Sequence, residues 1–192
     1  MADERGKWDR KYSESSHDSS APDPLLVHAY EDFIQPLFPQ PGTALDLAGG
    51  LGRHAIWLAE RGWRVKLVDI SEVGIARARE LAGNCVGQIN YEVADLTAWT
   101  AAGFTYDLVL VFFYLQRDLF PELVNALRPG GLLIYKTYTH VHPKFGKGPT
   151  HPMHLLDYNE LLRAFPGLRV LHYEETIRDR GVAELVAQKA GP

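Results

Sequence analysis

An apolar run that ends in a carboxylate and breaks directly into glycines, Leu45 to Gly52 (LDLAGGLG), is followed at once by a helical stretch, RHAIWLAERG. Few folds accept that order of a buried strand, a tight turn and a helix whose first amides are left unpaired. Gly49, Gly50 and Gly52 lack a Cβ, so the backbone can turn sharply there and approach a ligand closely. Val65 to Asp69 (VKLVD) reads as a second buried strand, and its terminal Asp69 is placed to accept both hydroxyls of a ribose. Asn90 to Ala94 alternates like a third strand and stops at Asp95, whose carboxylate or neighbouring amides suit an adenine edge.

The stretch from Gly50 to Ala55 also fits the dinucleotide fingerprint, so the turn by itself admits NAD as well as another adenosyl cofactor. Asp46 separates the two. A pyrophosphate at this turn is anionic, and a carboxylate at the end of the preceding strand would repel it in a partly desolvated site. S-adenosylmethionine instead presents an ammonium and a sulfonium, which a carboxylate favours.

Over essentially its whole length the chain resembles a class I S-adenosylmethionine-dependent methyltransferase. LDLAGGLG resembles the first motif of that family, VKLVDIS the second, VADLT the third, YDLVLVFFYL (Tyr106 to Leu115) the fourth strand, and RPGGLLIYKTYT (Arg128 to Thr139) the turn and fifth strand. Ala48 stands where the family's first glycine usually does. The resemblance implies a cofactor site of Asp46, Ala48, Gly49, Gly50, Gly52, His54, Asp69, Ile70, Ala94, Asp95, Leu96 and Phe112. Within the family, Trp8-Asp9-Arg10-Lys11-Tyr12 resembles the WDxxY segment of the tellurite-resistance and thiopurine methyltransferase type, with Lys11 where an arginine is common.

The 192 residues, 46% of them hydrophobic, suffice for one compact domain with a substantial core. A net charge of −4 and the absence of any lysine or arginine run argue against a bound polynucleotide, because phosphate affinity rests on clustered cations. The lone Cys85 excludes an internal disulfide and fits a reducing cytoplasm. The longest continuous apolar run, Leu108 to Leu115, is too short to span a bilayer, and no signal peptide is visible.

Residues 1–22 are polar and serine-rich and read as a mobile arm or lid able to fold over a cofactor, and residues 23–192 as a single domain. Pro24 to Phe38 has helical spacing. Strands near 43–47, 65–69, 90–94, 106–113 and 131–137 alternate with helices near 52–62, 72–82 and 119–127, which implies a doubly wound, mainly parallel α/β sheet. A helix over 157–165 and strands over 168–174 and 182–189 follow. The last two match the antiparallel hairpin that closes a seven-stranded, Rossmann-like methyltransferase sheet.

Ligands of such sheets lie outside the carboxyl ends of the strands. The fourth-strand exit, Phe112 to Arg117, therefore offers Tyr114 and Arg117 to a methyl acceptor, and it lacks the [DN]PP[YF] sequence of amino-methylating enzymes. The next loop, Thr139 to Leu155, carries four histidines, two lysines and no acid. His140 and His142 are its candidates for activating a thiol or binding an anion. His140-x-His142 lacks a matching carboxylate or cysteine, so no metal is expected. The resemblance implies methyl transfer onto a small molecule, with a thiol or an oxyanion such as tellurite or selenite as the acceptor. The alternatives are an NAD-dependent oxidoreductase and a non-catalytic S-adenosylmethionine-binding protein; the oligomeric state is not legible.

Overall fold

The computed structural model describes residues 4–14, 21–146 and 148–191. Of the arm expected over residues 1–22, residues 1–3 and 15–20 lie outside this description. The chain divides into two compact units, Met1–Thr100 and Ala101–Pro192.

The first unit opens with α1 (Glu4–Glu14) and a helical stretch comprising α2 (Pro24–Ala29), a π turn (Tyr30–Ile34) and α3 (Gln35–Leu37). Sequence periodicity suggests one uninterrupted helix there. Pro36 has no N–H to give and its ring crowds the preceding turn, and the widened turn just ahead of it accommodates both defects. Then β1 (Thr43–Leu47), α4 (Arg53–Ala59), β2 (Arg64–Asp69), α5 (Glu72–Leu81) and β3 (Ile89–Val93) alternate as expected. β2 runs parallel to both neighbours, pairing Asp46 with Leu67 on one side and Asp69 with Val93 on the other. Leu45, Leu47, Leu67 and Val68 are fully buried, as strands covered on both faces require.

The second unit holds β4 (Tyr106–Phe112), α6 (Phe120–Ala126), β5 (Leu127–Tyr138), α7 (Glu160–Ala164), β6 (Leu168–Thr176) and β7 (Val182–Lys189). β4 and β5 are parallel, and β7 is antiparallel to β5 and β6. β5 begins at Leu127, earlier than the sequence suggests, because Leu127 pairs with Tyr106 before the register shifts to Leu108 opposite Leu132. α7 is shorter than the expected 157–165 because Asn159 enters the left-handed region, with φ 53°, and its N–H goes to Glu175 Oε1 at 2.8 Å. Inside the sheet Lys136, 3% exposed, meets its cross-strand partner Glu184 at 2.7 Å. In the first unit the strands take the order β3-β2-β1, and in the second β4-β5-β7-β6. This is an α/β fold with a mainly parallel sheet and an antiparallel terminal hairpin.

The turn after β1 places Ala48 at φ 54°, in the left-handed region where a Cβ costs about 1–2 kcal/mol. The residue that departs from the usual glycine thus occupies a backbone position that favours glycine. Ala48→Gly is expected to stabilise the protein by about 1 kcal/mol, less the entropy that glycine adds to the unfolded chain. A thermal or urea melt that shows equal or lower stability would contradict this.

Candidate cofactor and acceptor residues

Asp46, the fourth residue of β1, has no exposed surface, and neither of its oxygens meets a donor in hydrogen-bond geometry among the described residues. Its carboxyl lies directly against Gly49, where an added Cβ would stand 2.8 Å from the Asp46 Cγ and Oδ2. Burial pushes its pKa up to about 7, against the weaker opposing pull of the Ala55 amide and the Arg53 guanidinium. Gly49 is fixed to glycine from the other side too, since a Cβ there would collide with Leu67 Cδ1.

Asp69 ends β2 and is 4% exposed. Its Oδ2 accepts the Gly50 N–H at 2.8 Å and its Oδ1 the Ser71 N–H at 2.9 Å. Each oxygen retains a second lone pair, which is what a ribose diol would use. Burial pushes this carboxyl above the usual range, and the Ser71, Gly50 and Ile70 amides oppose the shift. The Ala94 N–H donates to the Asp69 carbonyl at 2.9 Å, so the stretch after β3 begins beside the same residue. Ile70 is half-buried, and Leu96 is buried. Asp95 is exposed and turned inward on its own chain: its Oδ1 accepts from the Thr97 N–H at 2.9 Å and hydroxyl at 2.8 Å, which holds it below the ordinary carboxylate range. Gly52 (φ 76°) leads into α4, where His54 is 3% exposed in the first turn.

α1 brings two residues to this region that the site reading from sequence did not include. Tyr12 stands over the turn, its phenol oxygen 2.5 Å from where a Gly50 Cβ would be. Burial, with Asp69 and Asp46 nearby, keeps that phenol protonated. Asp9 Oδ1 accepts the Ser71 hydroxyl at 2.5 Å and the Val73 N–H at 3.3 Å. The sequence signal was the spacing of Asp9 and Tyr12, which puts both on one helical face.

In the second unit Phe112 ends β4 and is buried, and Phe113 follows at φ 57°, an uncommon conformation for a bulky residue. The Phe113 N–H donates to the Lys136 carbonyl at 2.7 Å and its ring lies 5.0 Å from that of Tyr138. Tyr114 donates its hydroxyl to Gln116 Oε1 at 2.5 Å. Arg117 is heavily committed within the protein: Nε and Nη2 grip Glu160 at 2.6 and 2.8 Å, Nη1 donates to the Met153 carbonyl, and Nη2 also to that of Leu155. It therefore fastens the end of the histidine loop to α7.

The two candidate histidines differ sharply. His142 is 5% exposed, stacks on Tyr138 with ring centres 4.1 Å apart, and accepts the Gly181 N–H on Nδ1 at 3.3 Å. His140 is half-buried, its Nδ1 faces the Leu156 carbonyl at 3.3 Å, and its ring meets Tyr158 edge-on at 3.9 Å. A carbonyl can only accept, so that contact assigns the proton to Nδ1 and leaves the lone pair on Nε2, which is buried and meets no partner among the described residues. His151 and His154 are exposed, and Lys147 lies outside the described residues. No group of three or more His, Cys, Asp or Glu suited to a metal occurs among the described residues.

Residues 44–131 match the family model described as a methyltransferase domain. The chain is 33% identical to the ubiquinone/menaquinone biosynthesis C-methyltransferase UbiE of Hydrogenovibrio crunogenus, over 53% of this chain and 44% of that protein. It is 34% identical to the tRNA 5-carboxymethoxyuridine methyltransferase of Escherichia coli K12, over 59% of this chain and 47% of that protein. The chain thus spans about half the length of these curated relatives. Among solved structures, the S-adenosylmethionine-dependent methyltransferase from Mesorhizobium loti superposes with a TM-score of 0.66 at 22% identity, covering 86% of this chain and all of that one. No helix among the described residues is long and apolar enough to cross a membrane. Residues 44–131 thus match a methyltransferase domain, and the chain shares the fold of the Mesorhizobium loti structure.

Proposed function

We propose that the protein transfers a methyl group from S-adenosylmethionine to a small thiol or soft oxyanion. The observation that carries the cofactor half is Asp46, a fully buried carboxyl beside the glycine turn with no donor in hydrogen-bond geometry among the described residues. Such a group is costly beside a pyrophosphate and complementary to an ammonium. Asp69, with a free lone pair on each oxygen, is the ribose acceptor in this reading, the backbone from Gly49 to Gly52 provides close approach, and Ile70, Ala94 and Leu96 provide the apolar surround.

Bound S-adenosylmethionine supplies an electrophilic methyl carbon on a sulfonium whose departing thioether is neutral. The protein's task is then to align the acceptor, exclude water and accept one proton. Positioning alone is worth about 7–11 kcal/mol. His140 is suited to take the proton of a thiol on Nε2, because the Leu156 carbonyl fixes its tautomer and orientation. His140 would hold the proton taken from the thiol, and S-adenosylmethionine, when bound, would supply the methyl carbon for the thiolate sulfur with a neutral thioether as leaving group. The histidine loop carries no carboxylate to oppose an anionic acceptor.

The resemblance of Trp8 to Tyr12 supports the tellurite-resistance and thiopurine type within the family, and the docking of that segment beside the glycine turn is in keeping with it. A tRNA acceptor is the competing class because one relative bears that name, and the net charge of −4 disfavours it here. Measuring S-adenosylhomocysteine release with a thiol panel, tellurite, selenite and bulk tRNA distinguishes these acceptors. Turnover with tRNA alone would overturn the small-molecule reading.

Two expectations follow from the protonation states. A carboxyl raised from its usual value near 4 to about 7 costs no stability below pH 4, destabilises the fold progressively as pH rises from about 4 to about 7, and adds no further loss above that. A cofactor ammonium favours its ionised form. Binding must therefore release a proton, and affinity should rise roughly tenfold between pH 6 and pH 8, flattening in Asp46→Asn. Calorimetry in buffers of different ionisation enthalpy reads the proton directly, and a pH-independent affinity would remove Asp46 from the site.

The two histidines should also separate. His140→Ala is expected to lower thiol turnover about a hundredfold, within the range for a general base, with cofactor affinity held within twofold. His142→Ala should instead lower stability by about 1–2 kcal/mol through its lost contacts to Gly181 and Tyr138. Equal turnover in His140→Ala and the parent would end the case for a base at this position.

A further inference from the structure

The N-terminal helix does more than lie on the first unit. Asp9 reaches into the start of α5 and binds Ser71, the N-cap residue of that helix, which is completely buried. Every polar atom of Ser71 outside its carbonyl is committed: the hydroxyl proton goes to Asp9 at 2.5 Å, the hydroxyl oxygen accepts the Gly74 N–H at 2.9 Å, and the backbone N–H goes to Asp69 Oδ1 at 2.9 Å. Asp69 in turn holds the Gly50 amide with its other oxygen. A continuous relay thus runs from Asp9 through Ser71 and Asp69 to the glycine turn.

We infer that Asp9 is a positioning residue for cofactor binding, which sets the Asp69 carboxylate through Ser71 and so couples the docking of α1 to occupation of the ribose site. The inference rests on the reading of Asp69 as the ribose acceptor. Other contacts hold α1 in place without entering the relay. The Arg5–Glu72 pair at 3.2 Å is solvent-exposed and contributes little, and the Arg77 guanidinium donates to the Tyr12 carbonyl. Among the described residues of α1, Asp9 is the one that hydrogen-bonds Ser71, the residue whose amide aims Asp69. Its negative charge also sits favourably at the amino end of the ten-residue α5, which helps keep the Ser71 hydroxyl turned toward it. Losing Asp9 frees the Ser71 hydroxyl to rotate, loosens the first turn of α5, and lets the Asp69 carboxylate swing.

The test is isothermal titration of the full chain with S-adenosylhomocysteine in the parent and four variants: Asp9→Ala, Asp9→Asn, Ser71→Ala and the Asp9→Ala, Ser71→Ala double variant. Asp9→Ala is expected to weaken binding about fivefold. Asp9→Asn keeps an acceptor oxygen for the Ser71 hydroxyl and should recover most of that loss. In the Ser71→Ala background, Asp9→Ala should add no further loss, whereas a purely mechanical role for α1 would leave the two effects additive. Parent-like binding by Asp9→Ala, equal weakening in Asp9→Asn, or additivity in the double variant would each overturn the positioning role. Absence of binding by the parent would overturn the cofactor assignment itself, and this inference with it.

Discussion

The two amides gripped by Asp69 organise the first unit. One belongs to the turn after β1 and the other to the residue that caps α5, so a single side chain joins the exits of two neighbouring parallel strands. Charge-assisted hydrogen bonds of this kind are among the stronger ones a buried carboxylate can make, and they compensate for its removal from water. The glycine turn, the first turn of α5 and the N-terminal helix all take their places relative to that carboxylate. Distort it and three elements lose their common reference.

Asp46 and Asp69 stand one strand apart and have opposite circumstances. Asp69 is buried but hydrogen-bonded, whereas Asp46 is buried and meets no well-placed donor among the described residues. The same residue type is thereby prepared for different tasks: a rigid acceptor for neutral hydroxyls, and a carboxyl whose charge is fully favourable only beside a cation. A site for a cationic cofactor needs such an asymmetry, because a second compensated carboxylate would offer an ammonium little additional attraction.

Much of this was legible in the sequence. The apolar runs ending in Asp46 and Asp69 and the glycines between them define β1 and β2 almost to the residue, because buried parallel strands and a tight turn leave few other solutions, whereas α4 ends at Ala59, three residues before the expected 62. The closing hairpin was also readable, from two strand patterns with no helix between them. What the one-dimensional pattern hides are contacts between distant segments. Nothing around Asp9 announces Ser71, 62 residues away, and nothing around Arg117 announces Glu160. The π turn before Pro36 escaped because apolar spacing alone does not register a widened turn. His140 and His142 look alike two residues apart, yet one is locked by Gly181 and stacked on Tyr138 while the other keeps a buried lone pair, a difference set by the loop's folding back on β7 and α7.

The central claim is that the glycine turn and its two carboxylates select S-adenosylmethionine over a dinucleotide. Parallel calorimetric titrations of the same preparation with S-adenosylmethionine and with NADH test it most directly. Binding of S-adenosylmethionine with no detectable heat from NADH is the result predicted; binding of NADH alone would contradict the assignment of Asp46 to a cation and return the fold to the oxidoreductases.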